Sequence, residues 1–286
     1  MPFAPTYRML DAGRLNLHAQ IAGEGPPILF LHGFPEFHFA WRHQVPVLSE
    51  RFRTIAIDLP GYGKSDRPRR GYSIPRLARD VVGALDALGI SKTHVVGHDW
   101  GGVLAWGLAA LHPDRVDRLA VLNGPHPVGF LRGLNPRQMR RSWYMGYFQI
   151  PWLPERSLSS HGLEPLFRSM RAGGGPHFRL TEEEKARYRE AFPDAKSFRA
   201  PLAYYRYKFQ ALWLPRLARR IDLPVLSIWG EMDGALGRHL VDGFDRYAPN
   251  IEKKWIPDAG HWVNQERPDL VNQWLLEFFT RTPGSP

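Results

Sequence analysis

An aspartate stands at the centre of the glycine-rich segment Gly97-His98-Asp99-Trp100-Gly101-Gly102. An apolar run at 93–96 precedes it and an apolar pattern at 101–111 follows it, which predicts that Asp99 lies in a tight turn between a strand and a helix. A carboxylate is ionised at neutral pH without a base, since an unperturbed aspartate has a pKa of about 3.9. It can attack an activated sp³ carbon directly and form an ester. The alternative is that Asp99 only caps the helix.

Two later segments place an acid and a base directly after predicted strands. Asp233 ends the segment Trp229-Gly230-Glu231-Met232-Asp233, and His261 lies in Asp258-Ala259-Gly260-His261-Trp262. A histidine oriented by a carboxylate can activate water to attack an ester. Glu231 is the alternative acid. Asn123, which follows another predicted strand, is neutral and cannot take that role.

A third segment, Leu31-His32-Gly33-Phe34-Pro35, also follows a predicted strand. The backbone N–H groups of Phe34 and Trp100 are expected to form an oxyanion hole. His32 and His98 are expected to shape their loops by hydrogen bonding. All of these segments stand at the carboxyl ends of strands, where a parallel sheet of the α/β class builds its site.

The elements that must position these residues alternate along the chain. Short apolar runs and helical patterns follow one another, which indicates an α/β fold with a mostly parallel sheet flanked by helices. The predicted strands span 14–21, 27–31, 53–57, 93–96, 116–122, 224–229 and 251–256, and the predicted helices span 75–88, 101–111, 237–247 and 268–279.

The pattern changes between residues 127 and 217, where no buried strand is evident. Aromatic and arginine-rich helical stretches occur instead, and Thr181 followed by Glu184 predicts a capping box. The sequence therefore predicts an α/β core at 1–126 and 218–286, interrupted after its sixth strand by an inserted helical cap, or lid, at 127–217.

Composition narrows the classes of function. The chain has 286 residues with 43% apolar and 23% charged residues, and it has no cysteine, which removes thiol nucleophiles and thiolate metal sites. A net charge of +10 arises mostly from scattered arginines without a nucleic-acid module, so no nucleic-acid partner is predicted. No metal is predicted, because the twelve histidines contain no His-x-x-x-His pair with a helical acid. Membrane insertion is not expected, and a cytoplasmic location is the default prediction.

Taken together, the motifs resemble those of the soluble epoxide hydrolases, in the Asp-nucleophile branch of the α/β-hydrolase superfamily. The matching segments are His32-Gly33-Phe34-Pro35-Glu36, Asp58-Leu59-Pro60-Gly61-Tyr62-Gly63-Lys64-Ser65-Asp66, the Asp99 turn and Gly260-His261-Trp262. The resemblance implies an eight-stranded sheet and a cofactor-independent reaction. In that reaction an epoxide becomes a vicinal diol through an ester on Asp99, hydrolysed by water that His261 activates with Asp233 behind it. The implied partners are a small apolar epoxide and water, and the chain is expected to be a monomer or a homodimer.

Tyrosines of the predicted cap also resemble those of the soluble epoxide hydrolases. An epoxide leaves as an alkoxide, which needs a proton, and Tyr144 and Tyr205 stand in segments similar to the family motifs that carry the epoxide-binding tyrosines. The neighbouring Tyr147, Tyr204 and Tyr207 are the alternatives. Residues expected to line the pocket are Pro35, Trp143, Met145 and Phe148, with Trp152 and Leu166 as further candidates.

Two other functions stay open at this point. A haloalkane or haloacetate dehalogenase uses the same nucleophile, but such enzymes commonly carry Asn where this chain has Phe34, or Arg where it has Trp100 and Val103. A ligand receptor on the same fold is the third reading, and such receptors typically have altered catalytic residues.

Overall fold

The computed structural model describes residues 4–207 and 214–281. Eight strands form one sheet in the order β1-β2-β4-β3-β5-β6-β7-β8. β1 and β2 are antiparallel, as are β2 and β4, and all other neighbours are parallel. The strands are β1 (Thr6–Asp11), β2 (Asn16–Ala22), β3 (Pro27–Leu31), β4 (Arg53–Ile57), β5 (Thr93–His98), β6 (Val116–Leu122), β7 (Val225–Gly230) and β8 (Ile251–Ile256).

Helices cover both faces of the sheet. The α-helices are α1 (Val45–Leu48), α2 (Ile74–Asp86), α3 (Trp100–Leu111), α4 (Pro127–Arg132), α5 (Pro136–Arg141), α6 (Trp143–Tyr147), α7 (Leu153–Ser159), α8 (Glu164–Gly173), α9 (Glu182–Ala191), α10 (Arg199–Arg206), α11 (Leu214–Leu217), α12 (Val263–Glu266) and α13 (Pro268–Thr280). Short 3₁₀ helices lie at His38–Trp41, Pro113–Arg115, Ser160–Leu163, Ala195–Phe198, Arg238–Val241 and Phe244–Arg246.

Strand side chains alternate between two apolar cores because the side-chain period of a strand is two. In β3, Leu29 and Leu31 point to the side of α2, α3 and the helices that follow β6, whereas Ile28 and Phe30 point to the side of α1 and α13. Both faces of the inner parallel strands β3, β5 and β7 are therefore buried, whereas the edge strand β8 is half-buried. The predicted α/β-hydrolase fold with a mostly parallel eight-stranded sheet is confirmed.

The structure corrects the sequence prediction at two places. The helix predicted at 237–247 is wrong: two 3₁₀ helices stand there, separated by Gly243, which has a φ of +80° and ends the first of them. The first strand, β1, was not predicted because Leu10 is its only buried residue, so the alternation that signals a strand is missing.

Between β6 and β7 the described residues of 127–217, called the cap segment below, form helices and no strand. The capping box at the start of α9 is confirmed: Thr181 Oγ1 accepts from the Glu184 N–H at 3.2 Å, and the Thr181 N–H donates to Glu184 Oε2 at 2.8 Å. Glu184 also pairs with Arg42 of the sheet domain at 2.6 Å. In the described residues, no helix combines the length and the apolar character that a membrane span requires.

The C-terminal end of α8 is bonded to the loops after β7 and β8. The carbonyl oxygen of Gly173 accepts from the backbone N–H of Gly234 at 3.2 Å and from that of His261 at 2.9 Å. The carboxylate of Glu266 accepts from Gly175 at 2.9 Å and from Gly260 at 3.0 Å. The chain thus fixes the middle of the cap segment, at the end of α8, to the same loops that carry Asp233 and His261.

Candidate active site

Asp99 occupies the turn between β5 and α3, as predicted, with φ +50° and ψ −119°. This backbone conformation is disfavoured for a residue with a side chain and is typical of a functional turn held by its surroundings. The neighbouring glycines make it fit. A Cβ on Gly101 would overlap the carbonyl of Leu31, and a Cβ on Gly33 would overlap the Asp99 side chain.

His261 faces Asp99 across the cavity and is held from behind by Asp233. Its Nε2 lies 3.6 Å from Asp99 Oδ2, and its Nδ1 lies 2.8 Å from Asp233 Oδ2. The other carboxylate oxygen of Asp233 accepts from the N–H groups of Ala235 and Leu236 at 2.7 and 2.8 Å, so the acid cannot rotate freely.

Glu231, the alternative acid, is turned elsewhere and pairs with Arg238. Of the two acids that the sequence offered in this loop, only Asp233 reaches the imidazole. The three charged side chains that the sequence brought together as nucleophile, acid and base therefore converge at one edge of the sheet.

The charges in this cluster shift one another's pKa values. Burial would raise the pKa of Asp99, but the facing His261 and the N–H of Phe34 lower it below its usual range. Burial would lower the pKa of His261, but the charge and hydrogen bond of Asp233, together with Asp99, raise it well above its usual value. The two shifts favour an ionised Asp99 facing a protonated His261.

Backbone N–H groups near Asp99 can donate hydrogen bonds to its negatively charged carboxylate. The N–H of Phe34 donates to Asp99 Oδ1 at 2.9 Å. Trp100 is the first residue of α3, so its N–H lies at the positive end of a helix.

Tyr144 and Tyr205 line the same cavity as Asp99. Their rings lie 6.1 Å apart in an edge-to-face arrangement, and Tyr205 also packs edge-on against Trp100 at 5.2 Å. Burial, followed by the charge of Asp99, raises the pKa of both phenols. Both hydroxyls therefore keep their proton at neutral pH and can donate it.

The three neighbouring tyrosines occupy different positions. The Tyr204 hydroxyl is buried and donates to the carbonyl of Pro60 at 2.9 Å, which gives it a structural partner. Tyr147 lines the same cavity as Asp99, and Tyr207 lines an adjoining lobe. Of the five tyrosines, only Tyr144 and Tyr205 line both spaces together with Asp99.

The cavity has two lobes that meet at Asp99, Tyr144 and Tyr205. The larger lobe, of about 710 Å³, contains Pro35, Trp143 and Phe148, and the smaller, of about 270 Å³, contains Met145. The other two candidates do not line either lobe in the described residues. Leu166 is fully buried in the core, and Trp152 is exposed, because spacing in a helical segment does not tell which way a side chain points.

Sequence reasoning missed one residue behind the acid. Asn123 Nδ2 donates to Asp233 Oδ2 at 2.6 Å, and its Oδ1 accepts from the N–H of Gly230 at 3.0 Å. The available signal was its position: a fully buried polar residue at the end of β6, beside the strand that carries Asp233. Being neutral, Asn123 is not the acid, but it holds the acid in place.

A second buried pair stands behind the base. His98 Nδ1 lies 2.9 Å from Glu36 Oε2, and its Nε2 donates to the carbonyl of His261 at 2.8 Å. His32 Nδ1 lies 2.9 Å from the carbonyl of Gly33, and its Nε2 accepts from the N–H of Leu59 at 2.9 Å. Both histidines shape their loops by hydrogen bonding, as expected from the sequence.

One group of possible metal ligands lies in a separate cavity, formed by His18, His38 and Asp58. The Asp58 carboxylate accepts hydrogen bonds from Nδ1 of both imidazoles, at 2.8 and 2.9 Å. It also accepts hydrogen bonds from the backbone N–H groups of His38 and Lys64, at 2.7 and 3.0 Å. Four hydrogen bonds occupy the carboxylate, so a cation would have to displace them. These hydrogen bonds give Asp58 a structural role, because they connect it to His18, His38 and Lys64.

Comparisons with known proteins agree with this geometry. A family model described as alpha/beta hydrolase fold matches residues 26–268. Epoxide hydrolase 4 of Homo sapiens is 37% identical, over 95% of this chain and 77% of that protein. The AB hydrolase superfamily protein YfhM of Bacillus subtilis (strain 168) is 36% identical, over 95% and 96% of the two chains.

The solved structures that resemble this fold include a mutant epoxide hydrolase from Bacillus megaterium in complex with its product, (R)-3-[1]naphthyloxy-propane-1,2-diol. It superposes with a TM-score of 0.85 at 31% identity and covers 96% of this chain and 100% of its own. The chain therefore belongs to the epoxide hydrolase family of the α/β-hydrolase superfamily.

Proposed function

We propose that this protein opens an epoxide to a vicinal diol, with Asp99 as nucleophile, Asp233 and His261 as the acid–base pair, and Tyr144 and Tyr205 as proton donors. The observation that carries the proposal is the placement of an ionised carboxylate and two protonated phenols in one cavity. A carboxylate attacks a strained carbon, and the leaving alkoxide requires a proton.

In the first step an oxygen of Asp99 forms a bond to one epoxide carbon while that carbon's bond to the ring oxygen breaks. The ring oxygen takes a proton from Tyr144 or Tyr205. The products are a hydroxyl on the neighbouring carbon and a tyrosinate that must regain its proton. The two rings pack edge-to-face beside the cavity that contains Asp99, so we expect both hydroxyls to hydrogen-bond to the ring oxygen.

In the second step water attacks the ester carbonyl of Asp99 while His261 takes one of its protons. The resulting oxyanion is stabilised by the N–H groups of Phe34 and Trp100, the first of which already donates to this carboxylate. The bond between the carbonyl carbon and the substrate oxygen then breaks, and this oxygen takes the proton from His261 and leaves as the diol. The second proton of the water passes from the new carboxyl group to His261, which restores the carboxylate of Asp99 and the imidazolium.

The charges of the resting site support this order of events. His261 owes part of its raised pKa to Asp99, so formation of the ester removes a negative charge and lowers the pKa of His261. The imidazole therefore becomes able to accept a proton from water only after the nucleophile has reacted. The proton it loses can return to the tyrosinate.

The substrate is a small, largely apolar epoxide. Aromatic side chains surround the reacting atoms, with Phe34, Phe148 and Trp100 all packed against Tyr205. Two lobes on either side of Asp99 leave room for a substituent on each epoxide carbon, and the larger one accepts an aryl group. We propose that residues 127–217 act as the cap that supplies the tyrosines.

A panel of epoxides and haloalkanes tests the proposal. Aryl and aliphatic epoxides are expected to give diols with the wild-type protein, and Asp99→Ala is expected to abolish turnover. The matched control is Asp114→Ala, an exposed aspartate distant in sequence from the site, which keeps full activity. Halide release without diol formation would assign a dehalogenase instead, and tight binding without any turnover would assign a receptor.

A further inference from the structure

Exposed apolar side chains are concentrated in one stretch of the cap segment. Seven of the ten exposed large apolar residues among the described residues lie between positions 131 and 153. Trp143 and Trp152 are 67% and 70% exposed. Grouped apolar surface of this kind marks an interaction site, whereas single exposed apolar residues need no explanation. The seven are Leu131, Leu134, Met139, Trp143, Ile150, Trp152 and Leu153.

The backbone presents one of these indoles to solvent. Trp152 has a φ of +52° and stands just before α7, between Pro151 and the helix. This left-handed conformation is unfavourable for a residue with a Cβ, and nothing in the core receives the side chain. Trp152 therefore combines an unfavourable backbone conformation with an exposed indole ring.

The same surface is strongly basic. Residues 131–171 contain seven arginines, two glutamates and neither lysine nor aspartate. Glu155 is buried and pairs with Arg206 at 2.6 Å, so it does not offset the surface charge. Six of the arginines are exposed and form no ion pair within the described part of the chain: Arg132, Arg137, Arg140, Arg156, Arg168 and Arg171.

The active-site cavity reaches this surface. Its larger lobe is lined by Trp143 and Arg168, both of which are exposed, and by Arg141. The opening of the cavity is therefore surrounded by the same mixture of tryptophan and arginine.

We propose that the surface formed by residues 131–171, the cap face, docks on an anionic lipid bilayer. Apolar side chains enter the headgroup region, where tryptophan is favoured, and the arginines contact lipid phosphates. A second copy of this chain fits poorly, because symmetric pairing would bring the two sets of arginines together. The binding is peripheral and does not depend on the chemistry at Asp99.

Vesicle sedimentation tests this proposal with the intact protein. The wild type is expected to sediment with mixed phosphatidylglycerol–phosphatidylcholine vesicles and much less with pure phosphatidylcholine, and added salt should weaken the binding. The double variant Met139→Ser/Arg140→Gln is expected to bind about tenfold more weakly, since each arginine contact alone is worth about fivefold. Trp152→Ser should lower binding roughly tenfold as well.

The matched control carries the same substitutions on β1, where Met9 and Arg8 are adjacent and exposed. Met9→Ser/Arg8→Gln should bind like the wild type, and so should Asp99→Ala. The proposal is overturned if the wild type ignores the anionic lipid, or if the control loses as much binding as the cap-face variant. It is also overturned if light scattering shows a dimer that Met139→Ser/Arg140→Gln dissociates, which would assign the face to a second copy.

Discussion

At the scale of single residues, the proposed reaction uses side chains from two sides of one cavity. The sheet domain supplies Asp99, Asp233 and His261, and the cap segment supplies Tyr144 and Tyr205. Asp99 and the two tyrosines act in ring opening and His261 with Asp233 acts in ester hydrolysis, so substitutions in the two groups should stop the reaction at different steps. This separation makes the proposed roles testable one by one.

Replacing His261 by glutamine should leave the first step intact and block the second. Asp99 keeps the hydrogen bond from the N–H of Phe34, which lowers its pKa, so an epoxide is still expected to form the ester. The measurement is the mass of the intact protein after mixing with substrate, which should increase by the mass of the epoxide. An enzyme that turns over normally without His261 would contradict the assignment.

The pH dependence of ester breakdown should follow the protonation of His261. Water is activated only by the neutral imidazole, so the rate rises with pH as the imidazolium loses its proton, and then levels off. Asp233→Asn removes the carboxylate that raises the pKa of His261 most, so the rise should move to lower pH. Single-turnover kinetics at several pH values measure the shift; an unchanged profile would show that Asp233 does not act on the base.

The two tyrosines should affect only the ring-opening step. Tyr144→Phe and Tyr205→Phe are each expected to slow it by about a hundredfold or more, and the double variant should be inactive, because no proton donor remains for the alkoxide. Tyr204→Phe is the control: it loses a hydrogen bond to Pro60 and about 1 kcal/mol of stability, but keeps the chemistry. Stopped-flow measurement of ester formation separates the two cases.

Residue types and order were enough to predict the charged residues of the site. Asp99, Asp233 and His261 each follow a strand in a short motif, and the ends of parallel strands meet in space. Asn123 and Glu36 were not predicted as supporting residues, since a buried hydrogen-bond partner has no motif of its own. The directions of Trp152 and Leu166 depended on packing that spacing alone does not define.

At the scale of elements, close contacts between backbone atoms hold the loop that carries His261 in place. Gly260, just before the base, packs against the backbone of Gly174 and Gly175 at the end of α8, and a Cβ on Gly260 would overlap both. The strands β3, β4, β6 and β8 were predicted with their observed bounds. Short 3₁₀ turns such as those at 238–246 were not predicted, since their pattern resembles one longer helix.

Gly260→Ala should therefore displace His261. The new methyl group meets backbone atoms that cannot rotate away, so the loop or the end of α8 must shift. We expect kcat to fall by about a hundredfold, since small misplacements of a catalytic group have effects of that size. Gly146→Ala, in α6 with open space around it, is the control and should retain activity.

Asp58 connects β4 to the loops around it, and its replacement tests stability apart from catalysis. Asp58→Asn puts an NH₂ group against hydrogen-bond donors and should cost about 2–4 kcal/mol of the free energy of unfolding. Asp66→Asn, exposed in the same segment, keeps one oxygen that can accept from Asn16 and should cost no more than about 1 kcal/mol. Urea unfolding measures both.

The effect of Asp58→Asn should depend on pH. Burial would raise the pKa of Asp58, but hydrogen bonds from His18 and His38 hold it well below the usual range. A carboxyl with a depressed folded-state pKa stabilises the fold above its unfolded-state pKa of about 4 and loses that contribution as the pH falls. The difference between wild type and Asp58→Asn should therefore shrink in acid, and a constant difference would exclude an electrostatic origin.

At the scale of the whole molecule, alternation of strands and helices predicted the sheet, and the loss of alternation after residue 122 predicted a different kind of segment. The contacts between the sheet domain and the cap segment could not be predicted, because hydrogen bonds between backbone atoms do not depend on residue type. The structure shows these contacts at the end of α8, where Gly173 bonds to the loops of Asp233 and His261.

These contacts restrict how substrate reaches Asp99. A hinge motion of the cap segment away from the sheet would break the hydrogen bonds of Gly173, and that of Gly175 to Glu266, and so displace the loop that carries His261. These bonds therefore oppose such a motion. We expect the epoxide to enter and the diol to leave beside Trp143, so that the width of this entrance selects among substrates.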